Sequence, residues 1–197
     1  YDLTGSAIQY AAGRYGQASS FNGSTSKMQT NAKIMGNKTS LTLSFWAKNI
    51  SVSDYSTLIG EGVDGDTAGY NVAINPNSNQ IDFFRSAGTS SYVFRDNFYN
   101  FGMNGSDWVH AVFTVSPTQL KYYKNGVNVL TASISNSSTV NSAYNTSFMW
   151  DEKYEREVEG QLDQVRIFNK TLSASEVTTL YLSLIHISEP TRPWSIG

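Results

Sequence analysis

Apolar and polar residues alternate along much of this chain, as expected of strands that bury one face. Two segments show this most clearly, with apolar residues at every second position: Leu41, Leu43, Phe45 and Ala47, and later Val109, Ala111, Phe113 and Val115. We predict strands at both places. Shorter alternating runs predict further strands near residues 18–21, 25–29, 56–60, 69–74, 80–85, 91–95, 119–124, 127–132, 146–150 and 161–168.

Two local signals complete the prediction. Asn125-Gly126 joins two of these runs, and Asn-Gly readily adopts the positive φ angles of a tight hairpin turn. Near the end of the chain, Ser173 and Glu176 have the spacing of a capping box, which predicts one short helix after it. Many short strands and one late helix indicate an all-β fold, an antiparallel sandwich of two sheets.

Six short segments also follow one another in a familiar order: Ser20–Ser24, Leu43–Lys48, Trp108–Val112, Tyr122–Gly126, Gly160–Asn169 and Leu172–Val177. Together they resemble the laminin-G-like jelly rolls of the concanavalin A-like lectin and glucanase superfamily, over roughly residues 10–181. The resemblance implies a jelly-roll sandwich with one short C-terminal helix. It constrains function less, because this fold occurs in lectins, in enzymes and in adhesion modules.

The two ends of the chain set the expected domain boundaries. Leu182 to Arg192 resemble, residue for residue, a translated reading frame of an adapter used to build sequencing libraries. We therefore predict a single domain over residues 1–181 and an artefactual tail over residues 182–197. The chain begins with Tyr1 and not with Met. We expect the domain to be a fragment of a longer protein that carries further domains.

Composition excludes several classes of function. The net charge is -2 and only 15% of residues are charged, so no basic surface for nucleic acid is expected. There is no cysteine, which excludes disulfides, thiolate zinc sites and a cysteine nucleophile. No apolar run reaches 18 residues, so we expect no membrane insertion.

Catalysis is not predicted. The glucanase branch of the resembled superfamily uses two carboxylates on one strand face. The only candidates are Glu155, Glu157 and Glu159, which share a parity. A solvated acidic loop that leads into the next strand explains them more simply. His110 cannot form a zinc site alone, and we interpret it as a packed, hydrogen-bonded residue beside Trp108.

Two acidic loops are candidates for a metal site. Calcium prefers six to eight oxygen ligands, and neither loop supplies enough alone. In laminin-G-like relatives, loops at these places share calcium, and by that resemblance the ligands would be Asp64, Asp66, Asp151 and Glu152. The alternative is two ordinary solvated acidic turns. Asp163 shares parity with Val165 and Ile167, so we expect it to point inward and to accept backbone N–H groups from a neighbouring loop.

Sugar recognition combines aromatic faces for C–H patches with Asn, Asp or Arg for hydroxyl groups. Residues 92–101 are the densest mixture of these types, and Phe98 to Phe101 depart from alternation, which places them between strands. The predicted carbohydrate-binding residues are Tyr70, Asn71, Tyr92, Phe94, Arg95, Asn97, Phe98 and Tyr99. The alternative is that these aromatics are core residues, as strand aromatics usually are.

The leading functional hypothesis is a non-catalytic carbohydrate-binding or adhesion module of a secreted, cell-surface or phage virion protein. Its partner would be a glycan or a cell-surface polysaccharide, with calcium as a candidate cofactor. Two alternatives stay open: a ligand-free structural display domain of a phage virion, and a divergent β-glucanase.

Overall fold

The computed structural model describes residues 2–62, 67–76, 80–88, 91–99, 102–134 and 139–183, and for residues 88 and 91–99 it describes only the backbone. The elements in chain order are β1 (Leu3–Ser6), β2 (Gln9–Ala12), β3 (Gln17–Asn22), β4 (Lys27–Thr30), β5 (Leu41–Ser51), β6 (Ser56–Gly60), β7 (Ala68–Asn75), β8 (Gln80–Gly88), β9 (Ser91–Tyr99), β10 (Val109–Val115), β11 (Gln119–Lys124), β12 (Val127–Ser133), β13 (Ser147–Phe148), β14 (Glu159–Phe168) and α1 (Ala174–Ser183).

The strands form two antiparallel sheets that pack face to face, which confirms the predicted all-β sandwich. Sheet A has the order β1-β4-β13-β6-β7-β8-β9, and sheet B has the order β12-β11-β10-β5-β14-β3-β2. Strands far apart in the chain are neighbours in both sheets, as in a jelly roll. Among the described residues, no helix is long and apolar enough to cross a membrane.

The core lies between the sheets, where the alternation predicted it. Phe45 and Phe113 of sheet B meet Val72 and Phe83 of sheet A in one buried cluster. The rings of Phe83 and Phe113 stack across the interface with centroids 5.0 Å apart. The inward positions of β5 and β10 are therefore the apolar ones in the sequence pattern.

Part of the outer face of sheet B is also buried, because α1 packs on it. Val112 and Tyr123 on the sheet contact Leu172 and Val177 at the helix. The capping box at Ser173 is confirmed: the Ser173 backbone N–H donates to Glu176 Oε2 at 2.8 Å, and the Glu176 N–H donates to Ser173 Oγ at 3.3 Å. The helix continues to Ser183, two residues beyond the boundary predicted from the tail.

The strand predictions are confirmed at the chosen positions, with two differences. The pattern missed β1 and β2, which are short and almost wholly exposed and so carry little alternation. The prediction that Phe98 and Tyr99 lie between strands is wrong, because β9 extends to Tyr99, which pairs with Gln80. This segment is a strand because its backbone pairs with β8, although its apolar and polar residues do not alternate.

The predicted orientation of Asp163 is also wrong. Leu162 lies opposite Ala47, which is a core residue, and Asp163 lies opposite Trp46, so the Asp163 side chain is on the outer face of sheet B. A register shift follows Asp163, and Gln164 has φ of 48°. A bulge of this kind inserts a residue and resets the alternation, which returns the later residues of β14 to the core.

Candidate functional site

The segment predicted to contact sugars forms the edge strand of sheet A. β9 has β8 as its neighbour in the described sheet and is the last strand in the order. Six predicted sugar-binding residues lie on it: Tyr92, Phe94, Arg95, Asn97, Phe98 and Tyr99. The description of β9 is limited to its backbone, so the sugar-binding role of these six residues stays a prediction.

The other two predicted sugar-binding residues are buried. Tyr70 OH donates to the Lys38 carbonyl oxygen at 2.6 Å and accepts from Arg85 Nη1 at 2.8 Å. Burial raises the pKa of Tyr70 above its ordinary value, although Arg85 opposes that rise. Asn71 Nδ2 donates to the Gly62 carbonyl oxygen at 2.5 Å. Tyr70 and Asn71 thus tie loops to sheet A, and we remove them from the sugar-binding surface because a ligand has no access to them.

Asp151 does not fit a calcium ligand. It is fully buried, and both carboxylate oxygens are already used: Oδ1 accepts from the Tyr154 backbone N–H at 2.7 Å and Oδ2 from Arg156 Nε at 2.9 Å. The guanidinium already neutralises the charge that would attract a cation. This carboxylate closes the turn that follows β13.

The remaining predicted calcium ligands are not brought together by the described structure. Glu152 is exposed, and Asp64 and Asp66 lie outside the described residues. Within the described part of the chain, no group of three or more His, Asp or Glu side chains is placed to hold a metal ion. The calcium site stays a prediction that rests on Asp64, Asp66 and Glu152.

The acidic row ahead of β14 is held by a lysine. Lys27 Nζ lies 3.8 Å from Glu155 Oε1 and 3.4 Å from Glu157 Oε1, and it also lies 4.7 Å from the centre of the Trp150 ring. The Glu155 side chain is 74% exposed, as expected of a solvated loop, whereas the Glu157 side chain is only 14% exposed. Glu159 is exposed and begins β14.

His110 is packed and hydrogen-bonded, as predicted. Its Nε2 lies 2.9 Å from Ser44 Oγ, and its ring stacks against Trp46 at 4.9 Å and Tyr181 at 5.8 Å between centroids. Burial and, to a smaller extent, the nearby charge of Arg166 together lower the pKa of His110 to about 4. The ring is closed off from substrate by α1, so it has no access for acid–base chemistry.

A buried glutamate that the sequence did not single out organises three loops. Glu61 Oε1 accepts from the Met35 backbone N–H at 2.6 Å and from Thr146 Oγ1 at 2.6 Å, and Oε2 accepts from Ser142 Oγ at 2.5 Å. The described donors to this carboxylate are neutral. In the sequence, only the position of Glu61 between the end of β6 and Gly62 could have pointed to this role.

Comparison with known proteins places this geometry in context. The sequence model of the concanavalin A-like lectin/glucanases superfamily matches residues 22–178. No curated protein matches the chain significantly. Similar solved structures include the binding domain of paraclostridial mosquitocidal protein 1, with a TM-score of 0.74 and 17% identity, and the botulinum neurotoxin serotype D binding domain, with a TM-score of 0.72 and 18% identity.

A third similar structure comes from botulinum neurotoxin type C, whose cell entry depends upon interaction with two ganglioside molecules; its TM-score is 0.69 at 18% identity. These three structures cover 94%, 94% and 93% of this chain, but the chain spans only 48%, 46% and 46% of theirs. At this level of identity the likeness concerns the fold, and the chain corresponds to about half of each of these chains.

Proposed function

Because the chain belongs to the concanavalin A-like lectin/glucanases superfamily, we propose that it is a non-catalytic carbohydrate-binding module of a secreted, cell-surface or phage virion protein. Binding domains of toxins are among the structures with the same fold, which supports a binding role. The ganglioside dependence of one of them supports a glycan as the ligand class.

The pairing of Lys27 with the acidic row is the observation that carries the proposal against a glucanase. A retaining glycosidase needs two carboxyl groups about 5–5.5 Å apart that both reach the scissile bond. Here the ammonium group of Lys27 faces an oxygen of both Glu155 and Glu157, and Glu157 is mostly buried. The ion pair and the burial of Glu157 support a structural role for this side chain, which argues against its use as a catalytic carboxylate.

We place the sugar contacts on alternate residues of β9. Neighbouring residues of a strand face opposite sides of the sheet, and directly paired residues share a side. Phe98 pairs with Ile81, which belongs to the core, whereas Asn97 pairs with Asp82, which does not. We choose Arg95, Asn97 and Tyr99 as the proposed contacts, because their partners on β8, which are Phe84, Asp82 and Gln80, are buried but lie outside the cluster between the sheets. The three residue types combine an aromatic ring with hydroxyl-binding groups.

Glycan-array screening followed by calorimetry with the best glycan tests this proposal. We expect binding by the unmodified protein and a loss of at least tenfold in affinity for Arg95→Ala, Asn97→Ala and Tyr99→Ala. Tyr154→Ala is the matched control, because Tyr154 is an exposed tyrosine in the turn after β13, away from β9. Absence of binding to every glycan class would favour the ligand-free display domain instead.

The catalytic alternative has its own test. We expect no release of reducing ends from laminarin, lichenan or agarose. Turnover that disappears in Glu155→Gln or Glu159→Gln would contradict the non-catalytic proposal.

A further inference from the structure

The two sheets are not closed on the side where the chain begins. β1 lies at one edge of sheet A and β2 at one edge of sheet B, so the chain crosses between the sheets at Ala7 and Ile8. A cleft of about 840 Å³ lies between the sheets under this crossing. β9, which carries the proposed sugar contacts, is the opposite edge of sheet A.

The small side chain of Ser19 explains why part of the cleft is open. Gly5 pairs with Met28 and Ser19 pairs with Leu162, and both partners pack against the core, so Gly5 and Ser19 face inward. Stacked sheets lie about 10 Å apart, a gap that large side chains normally fill. Ser19 leaves part of it unfilled on this side, whereas the space beside Gly5 is taken by Ile8, whose Cγ1 would lie 3.1 Å from a Cβ atom at Gly5.

The lining of the cleft has a definite chemistry. Its walls are mainly apolar, and the apolar lining residues include Ile8, Phe21, Met28, Phe148, Leu162 and Ile167. Hydroxyl groups are also present, among them that of Ser19. The described lining residues include no Lys, Arg or His, and the Asp163 carboxylate lies on the outer face of sheet B, where it accepts the Tyr15 N–H bond at 3.0 Å.

We propose that this cleft binds a neutral amphipathic small molecule that has one apolar chain and a hydroxyl-bearing head, of the class of monoacylglycerols and alkyl glycosides. The volume is that of a small-molecule site, and such sites are mainly apolar with a few polar groups that orient the ligand. The hydroxyl groups suit a neutral head, whereas an anionic head would find no basic side chain among the described lining residues to pair with it. The site does not depend on the proposed sugar binding at β9.

The neutral dye N-phenyl-1-naphthylamine, which fluoresces in apolar surroundings, is the first probe. We expect saturable binding with one dye per chain. Monolauroylglycerol below its aggregation concentration should displace the dye, and dodecanoate at pH 8 should do so at least tenfold less well.

A pair of matched variants tests the location. Ser19→Phe should fill the cleft and weaken dye binding at least tenfold, while Ser20→Phe, on the other face of the same strand, should bind as the unmodified protein does. Circular dichroism checks that both variants fold, and Ser19→Leu replaces Ser19→Phe if it does not. The proposal is overturned if the unmodified protein does not bind the dye, if the filled variant binds equally well, or if dodecanoate competes as well as monolauroylglycerol.

Discussion

At the scale of single residues, His110 links packing to acid sensitivity. The unfolded chain takes up a proton at this residue as the pH falls below about 6.5, whereas the folded protein resists protonation until about pH 4. Stability from His110 is therefore fully present above pH 6.5 and is lost as the pH falls toward 4. The depressed pKa corresponds to a loss of about 3 kcal/mol over this interval.

Urea unfolding between pH 7.5 and 4 measures this loss, and His110→Gln is the comparison. Gln keeps a polar group that can reach Ser44 but does not titrate. We expect the variant to lose less stability over this interval, with the remaining decline due to carboxylates. If the free energy of unfolding fell equally with pH in the unmodified protein and in His110→Gln, the prediction would be contradicted.

Asp151 gives a second residue-scale prediction. Removing one partner of a buried ion pair leaves the other charge without compensation. Asp151→Ala would leave Arg156, whose side chain is 17% exposed, and would also remove the acceptor of the Tyr154 N–H bond. We expect a loss of about 2–4 kcal/mol in thermal or urea unfolding. Glu152→Ala, at the exposed neighbour, should change stability by less than about 0.5 kcal/mol.

The errors in the predicted site also belong to this scale. Tyr70 and Asn71 have the chemistry of sugar ligands, but hydrogen bonds to the Lys38 and Gly62 carbonyl oxygens use that chemistry inside the protein. Asp163 was placed on the wrong face because the bulge beside it has no signature in alternation. Residue type correctly indicated that these side chains form hydrogen bonds. Only the three-dimensional structure could show that the partners are inside the protein and not on a ligand.

At the scale of elements, α1 is held to sheet B by the buried Val177 and, near its C-terminal end, by Tyr181. Tyr181 stacks on Trp46 at 5.7 Å, with an interplanar angle of 21°. Tyr181→Ala should lower stability by about 2 kcal/mol, because an aromatic contact and its buried area are both lost. That corresponds to a fall of about 4–8 °C in melting temperature for a domain of this size.

Melting temperatures of truncated chains test the prediction that residues 182–197 are an artefactual tail. A chain that ends at Ser183 keeps all of α1 and should melt within a few degrees of the full chain. A chain that ends at Leu180 should melt at a temperature close to that of Tyr181→Ala. A large loss of stability from the first truncation would contradict the interpretation of the tail as adapter sequence.

The strands that could be predicted are those that separate a buried face from a polar one. β5 and β10 alternate because only one of their faces lies between the sheets. β1 and β2 could not be found in this way, because their residues are exposed and their pairing is made by the backbone. The hairpin turn was predictable for a different reason, since Asn125 and Gly126 have φ of 52° and 79° and few other residue pairs accept both.

At the scale of the whole molecule, calcium binding would appear as a change in global stability. A cation that binds only the folded state stabilises it by about 2.7 kcal/mol at a hundredfold excess over Kd. The calcium prediction is therefore that millimolar calcium raises the melting temperature by several degrees and that chelator reverses the rise. Asp64→Asn should reduce the calcium-dependent rise in melting temperature. Lys153→Gln is the control variant beside Glu152 and should leave that rise unchanged. A melting curve that is identical in calcium and in chelator would contradict the calcium prediction and favour the alternative, two ordinary acidic turns without a metal.

The position of β14 determines when sheet B can be completed. β14 is the last strand among the described residues, yet it lies between β5 and β3. During synthesis, the β2–β3 hairpin therefore has no place in sheet B until residues 159–168 have left the ribosome, and the edge of β5 stays open to other chains. Pairings this distant along the chain close slowly, and unpaired edges promote aggregation during that delay. We therefore expect the insertion of β14 to limit the rate of folding and nascent chains that stop before it to need protection by chaperones.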